Sequence, residues 1–84
     1  MILSIITPEK TTVLENMESI VLPGWEGEME VLEGHIPYLV LLKKGRIKTR
    51  AKGKSDTGVF FTEEGLAQVN RDSVNVLTKR FAAQ

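Results

Sequence analysis

Turn signals interrupt this chain roughly every 8 to 12 residues, and no segment before the tail supports a helix of three turns. The punctuation is Thr7-Pro8-Glu9-Lys10, Glu15-Asn16, Pro23-Gly24, Gly34 with Pro37, Lys43-Lys44-Gly45, Glu63-Glu64-Gly65 and Asn70-Arg71-Asp72. Proline fixes φ and lacks an N–H, glycine opens the left-handed region, and Asn or Asp bonds its own backbone, so each cluster ends a strand for a physical reason. The runs between them are Ile2–Ile6, Thr11–Leu14, Met17–Leu22, Glu26–Leu32, Tyr38–Leu42, a basic segment from Lys44, Gly58–Thr62, Leu66–Val69 and Ser73–Thr78. Lys52–Thr57 reads as a hairpin loop. Eight to ten short strands at this spacing predict an all-β fold, a small antiparallel β-sandwich or flattened barrel. Eight Val, six Ile and seven Thr against four Ala agree, because β-branched side chains suit a pleated surface.

Facing follows from parity. Trp25, Gly27, Met29 and Val31 share one side of their strand, with Glu26, Glu28 and Glu30 on the other, as expected for one buried and one wet face. Ile2–Ile6 and Tyr38–Leu42 are apolar on both parities, so both faces should be covered, Tyr38–Leu42 as a central strand. In so small a sandwich a partner protein could supply the second cover. Residues 79–84 show no period and are expected to fray. The 84 residues form a single domain with no linker, repeat or low-complexity tract.

Composition excludes several classes of chemistry. There is no cysteine and one histidine, His35, which removes disulfide frameworks and the usual zinc sites. Eleven basic and eleven acidic residues cancel, so there is no global pull toward nucleic acid. No apolar run approaches the roughly 18 residues that span a bilayer, and a cytosolic-side protein that reaches a membrane only through a partner is expected. No Walker-type phosphate loop and no nucleophile–base set are found, and neither cofactor nor metal is expected. His35 could serve as a base but lacks a relay partner, so a turn or contact role fits it better. The Glu26, Glu28 and Glu30 row does not converge as cation ligands do.

Lys44, Arg46, Lys48, Arg50, Lys52 and Lys54 share one parity. They could track phosphates on a single-strand-binding barrel, which is the second functional reading. Alternatively they form a solvated face. No Lys or Arg occurs between Thr11 and Leu42, so glutamates of that region could pair with the row across strands.

Pro23, Gly24, Glu26, Gly27, Glu28, Val31, Leu32, Gly34, His35, Pro37 and Leu39 follow an ordered pattern that resembles the epsilon subunit of the F-type ATP synthase, in its N-terminal β-sandwich domain. Ile5-Ile6-Thr7-Pro8-Glu9 and Val74-Asn75-Val76-Leu77 extend the likeness over nearly the whole chain. The resemblance implies a noncatalytic rotor component of about ten strands, on the cytoplasmic face of the bacterial membrane or its organellar equivalent. It would link the gamma subunit of the central stalk to the c-ring. Thr7, Pro8, His35, Ile36, Pro37, Tyr38 and Val40 would then face gamma, and the loop Trp25, Glu26, Gly27 and Glu28 would approach the ring. The family's C-terminal helical hairpin, with its inhibitory and ATP-binding properties, is not carried over to these 84 residues. Two departures from the pattern stand out. Glu63-Glu64 replaces small residues before Gly65, and Arg46 stands where an apolar residue is common.

Overall fold

The computed structural model describes residues 1–55 and 57–84. It contains ten strands: β1 (Ile2–Ile6), β2 (Thr11–Leu14), β3 (Met17–Gly24), β4 (Gly27–Leu32), β5 (Tyr38–Leu42), β6 (Gly45–Ala51), β7 (Thr57–Thr62), β8 (Gly65–Val69), β9 (Ser73–Thr78) and β10 (Phe81–Ala83). The hairpin loop expected over residues 52–57 joins β6 to β7, with residue 56 outside the described residues.

The strands run in the order β10-β7-β6-β3-β5-β8-β9-β1-β2, with β4 on the remaining side of β3. One register pair, Gly24 with Leu42, joins β3 to β5. The sheet therefore folds there into two five-stranded layers. The first holds β4, β3, β6, β7 and β10; the second holds β5, β8, β9, β1 and β2. Pairing is antiparallel except for β1 with β9, which is parallel. The core lies between the layers. Ile20, Leu22, Val31 and Ile47 enter from the first, and Leu3, Ile5, Leu42, Val69, Val74 and Val76 from the second, all at 0% exposure. Each such side chain contributes about 1.5–3 kcal/mol relative to exposure, which lets a chain this short hold one fold.

The structure corrects four expectations. Pro23-Gly24 does not form the turn but completes β3. Gly24 pairs with Gly27 across a two-residue loop, Trp25-Glu26, and the φ of 130° at Gly27 explains why glycine stands there. Tyr38–Leu42 is not central: β5 pairs with β8 along its length and meets β3 only at Leu42. Ile2–Ile6 is covered on one face; Leu3 and Ile5 are buried while Ile2 is exposed. A two-layer sandwich has no third layer to cover the outside. Finally, the tail does not fray. Phe81, Ala82 and Ala83 pair with Thr62, Phe61 and Phe60, and the Phe81 ring packs edge-on to Phe60 at 6.2 Å.

The Glu63-Glu64 turn is held from within. Thr78 Oγ1 lies 3.1 Å from the carbonyl oxygens of both Glu63 and Glu64, and Thr62 Oγ1 donates to the Glu63 carbonyl at 2.9 Å. The two carboxylates are thereby left outside the backbone network that sets the turn.

Candidate functional site

The two outer faces of the sandwich differ in chemistry. On the first layer β6 carries the basic row and its neighbours carry the glutamates. Lys48 pairs with Glu28 at 3.5 Å, Arg50 with Glu18 at 2.8 Å, and Lys52 with Glu33 at 3.0 Å. Ser19, between them on β3, donates to Glu30 at 2.7 Å. This half of the basic row is therefore matched by carboxylates rather than left open to phosphates. The Glu33 carboxyl is held below its usual range, chiefly by the hydrogen bond from Lys52 and then by the Lys52 charge.

The second layer's outer face carries an apolar row. Register aligns Leu41 with Leu66, Leu66 with Leu77, and Leu77 with Ile6, which makes one row across four strands. The next row is Leu39, Gln68, Asn75, Ser4 and Val13. Leu39 and Leu41 are 66% and 65% exposed, and Leu77 and Val13 are also open. Leucines in transverse register on a solvent face form a contiguous apolar surface, which marks interaction sites in small proteins.

The residues carried over toward gamma fall at two ends of this face. Thr7 and Pro8 form the β1–β2 turn, just beyond Ile6. Thr7 Oγ1 donates to the Lys10 carbonyl at 3.0 Å, and Pro8 is exposed. His35, Ile36 and Pro37 lie at the opposite end, before β5. The Ile36 side chain is 78% exposed and the His35 ring sits 5.5 Å from that of Tyr38. Tyr38 donates to Met29 Sδ at 3.9 Å, and burial raises its hydroxyl pKa. Val40 is half-buried and packs against the core, so the outward parity of β5 is Leu39 and Leu41. The apolar row across these strands was missed from the sequence. Its signal was present as the leucines of an all-apolar run, but such a run does not reveal which parity points out.

Trp25 occupies the tip of the β3–β4 hairpin at 57% exposure, with Glu26, Gly27 and Glu28 exposed beside it. Its N–H donates to the Leu41 carbonyl at 3.0 Å, which ties the tip to the end of β5. A groove of about 860 Å³ opens near the chain's C-terminal strand, lined by Lys10, Lys44, Phe61, Arg80 and Phe81 among others. Among the described residues no three His, Asp or Glu side chains converge to hold a metal. Among the described residues there is no helix long and apolar enough to cross a membrane.

The family model for the "ATP synthase, Delta/Epsilon chain, beta-sandwich domain" matches residues 1–84. The chain belongs to the ATP synthase delta/epsilon family. Among relatives of the family, the ATP synthase epsilon chain of Nitratidesulfovibrio vulgaris strain DP4 is 39% identical over 77 residues, covering 92% of this chain and 56% of that one. The epsilon chain of Desulfatibacillum aliphaticivorans is 37% identical over 81 residues, covering 93% and 55%. The chain thus spans about half the length of these relatives. In solved structures the same fold recurs in a chain of the Euglena gracilis mitochondrial ATP synthase, with a TM-score of 0.86 at 23% identity over 96% of this chain and 51% of that one. A chain of the Tetrahymena thermophila mitochondrial ATP synthase central stalk and c-ring gives 0.79 at 18% identity, covering 95% and 63%. At these identities the two structures establish the shared fold.

Proposed function

We propose that this domain is a noncatalytic central-stalk component of an F-type ATP synthase, and that it links the gamma subunit to the c-ring for assembly and coupling. It would sit peripherally on the face of the membrane where the catalytic head lies, the cytoplasmic face in a bacterium. The observation that carries the reading is the apolar row on the outer face of the second layer, Ile6-Leu77-Leu66-Leu41 with Leu39. A rotor part must be held firmly by its stalk, and a stable interface takes about 800 Å² from each partner, with an apolar centre. Gamma would cover this face from the Thr7-Pro8 turn to the His35-Ile36-Pro37 turn. The Trp25-Glu26-Gly27-Glu28 tip, tied to the end of β5, would extend toward the ring.

Affinity capture from detergent-solubilised membranes of the source cell tests the assignment. Gamma and c subunits should be recovered together with the tagged chain. Recovery of neither, with the tagged chain folded, overturns it. The nucleic-acid alternative finds less support, because Lys48, Arg50 and Lys52 are already engaged by glutamates.

A further inference from the structure

The groove of about 860 Å³ opens where the β1–β2 turn meets the ends of β6 and β7 and the start of β10. Its size is that of a small-molecule site. Of the residues that line it, only Thr7 belongs to the surface proposed for gamma, and none to the tip proposed for the c-ring. Most of its polar groups are already engaged. Thr7 Oγ1 donates to the Lys10 carbonyl at 3.0 Å and accepts from the Lys10 N–H at 3.2 Å. Thr62 Oγ1 donates to the Glu63 carbonyl at 2.9 Å, and the Glu63 carboxylate lies 3.8 Å from Arg80. The ammonium groups of Lys10 and Lys44 have no carboxylate within 4 Å among the described residues. Glu9 is the remaining unpaired carboxylate of the lining among those residues. The apolar part is aromatic. The Phe61 ring is 43% exposed and stands in register between Arg46 on β6 and Ala82 on β10. The Arg46 guanidinium, 5.3 Å from the ring centroid, covers it from β6. Toward β10 there is only the Ala82 methyl, and Phe61 and Ala82 both line the groove. Phe81 adds a second ring, with Lys10 Nζ 6.0 Å from its centroid.

We propose that this groove binds a small aromatic anion, a flat ring that bears a carboxylate, sulfonate or phosphate group. The site does not depend on which subunits the domain joins. The ligand's ring lies over Ala82 against Phe61, where an offset stack is favourable. Its anionic group meets the Lys10 and Lys44 ammonium groups, the cations of the lining that no carboxylate engages. The few polar groups left free in an otherwise apolar site are what fix a ligand's orientation. An acidic peptide fits less well, because its further carboxylates would be brought toward Glu9 and Glu63.

Naphthoate is the probe. The isotope-labelled 84-residue protein is titrated with naphthoate, with the neutral alcohol naphthylmethanol, with cyclohexanecarboxylate and with hexaglutamate, while its amide resonances are followed. Naphthoate should give saturable shifts centred on Lys10, Lys44, Phe61 and Ala82, and leave Leu39, Leu66 and Leu77 unmoved. An exposed ion pair is worth about threefold, so Lys10→Gln with Lys44→Gln should weaken naphthoate about tenfold and the alcohol by less than about twofold. Phe61→Leu keeps apolar bulk but removes the ring face, and should weaken naphthoate about threefold or more. All three side chains are exposed, so the variants should melt within a few degrees of wild type. Any of five results would overturn the proposal: no saturation by millimolar naphthoate, shifts centred on the apolar row, equal affinity for naphthylmethanol or cyclohexanecarboxylate, undiminished affinity in the folded lysine double variant, or tighter binding of hexaglutamate.

Discussion

Arg50 Nη2 lies 2.8 Å from Glu18 Oε2, and Glu18 sits at the register shift where β3 slips against β6 between Met17 and Ser19. The slip turns Glu18 toward the basic row. Both side chains are nearly half exposed, at 42% and 47%, so the pair should contribute little. A double-mutant cycle with Glu18→Gln and Arg50→Gln, read by denaturant unfolding, should give a coupling below about 1 kcal/mol. A coupling several times larger would mean that the ionic face is a main source of stability.

Glu33 should titrate low. Lys52 donates to its carboxylate and adds its charge, so the folded-state pKa lies below the usual 4.5. A depressed carboxyl contributes stability that is present above its unfolded pKa and is lost as pH falls through the lowered folded value. Carboxyl NMR titration should place the Glu33 midpoint below 4.5, and Lys52→Ala should move it back toward that value. An unchanged midpoint in Lys52→Ala would assign the depression to another group.

Gly65 should tolerate no side chain. A Cβ there would overlap the Leu77 carbonyl oxygen, which is backbone of the adjacent β9 and cannot yield without breaking register. Gly65→Ala should cost about 1–3 kcal/mol, or roughly 4–8 °C in Tm for each kcal/mol in a domain of this size. Gly58→Ala should cost less, since its Cβ would meet the Thr49 Oγ1 end of a side chain. Equal melting of the two variants would contradict the packing described.

Phe81→Ala tests the tenth strand. Phe81 is half-buried against the core and meets Phe60. Removing it should destabilise the domain by about 1–3 kcal/mol and release the amides of β10 to fast hydrogen exchange. A neutral effect would return the tail to the frayed state that its sequence suggests.

Strand bounds were legible at most turn residues: Ile2–Ile6, Thr11–Leu14, Tyr38–Leu42 and Ser73–Thr78 match residue for residue, whereas Pro23-Gly24 and Gly65 were taken into β3 and β8. Facing was legible where charge alternated. The Glu26, Glu28 and Glu30 parity pointed Val31 inward, and the basic parity did the same for Ile47. It was illegible in Leu39-Val40-Leu41, because three apolar residues carry no sign of inside or outside until β8 fixes the register. The β10 strand was hidden because three residues are too few to show a period. Opposite charges were visible in the sequence, but their pairing needed the order β6-β3-β4, which arises from long-range contacts.

The central claim is that the domain docks on its partner through the outer face of the second layer, with Leu41 in its apolar row. It is tested most directly by measuring the affinity of purified gamma subunit for wild-type domain and for Leu41→Asp, with the Tm of each variant recorded. Leu41 is 65% exposed, so the free domain should melt within a few degrees of wild type. An aspartate buried unpaired in the interface costs several kcal/mol, so gamma binding should weaken by about 100-fold or more. Val40→Ala should show the reverse pattern, with a lowered Tm and affinity nearly retained, because Val40 packs inward. A folded Leu41→Asp domain that binds gamma with undiminished affinity would contradict the claim and move the contact to another face of the sandwich.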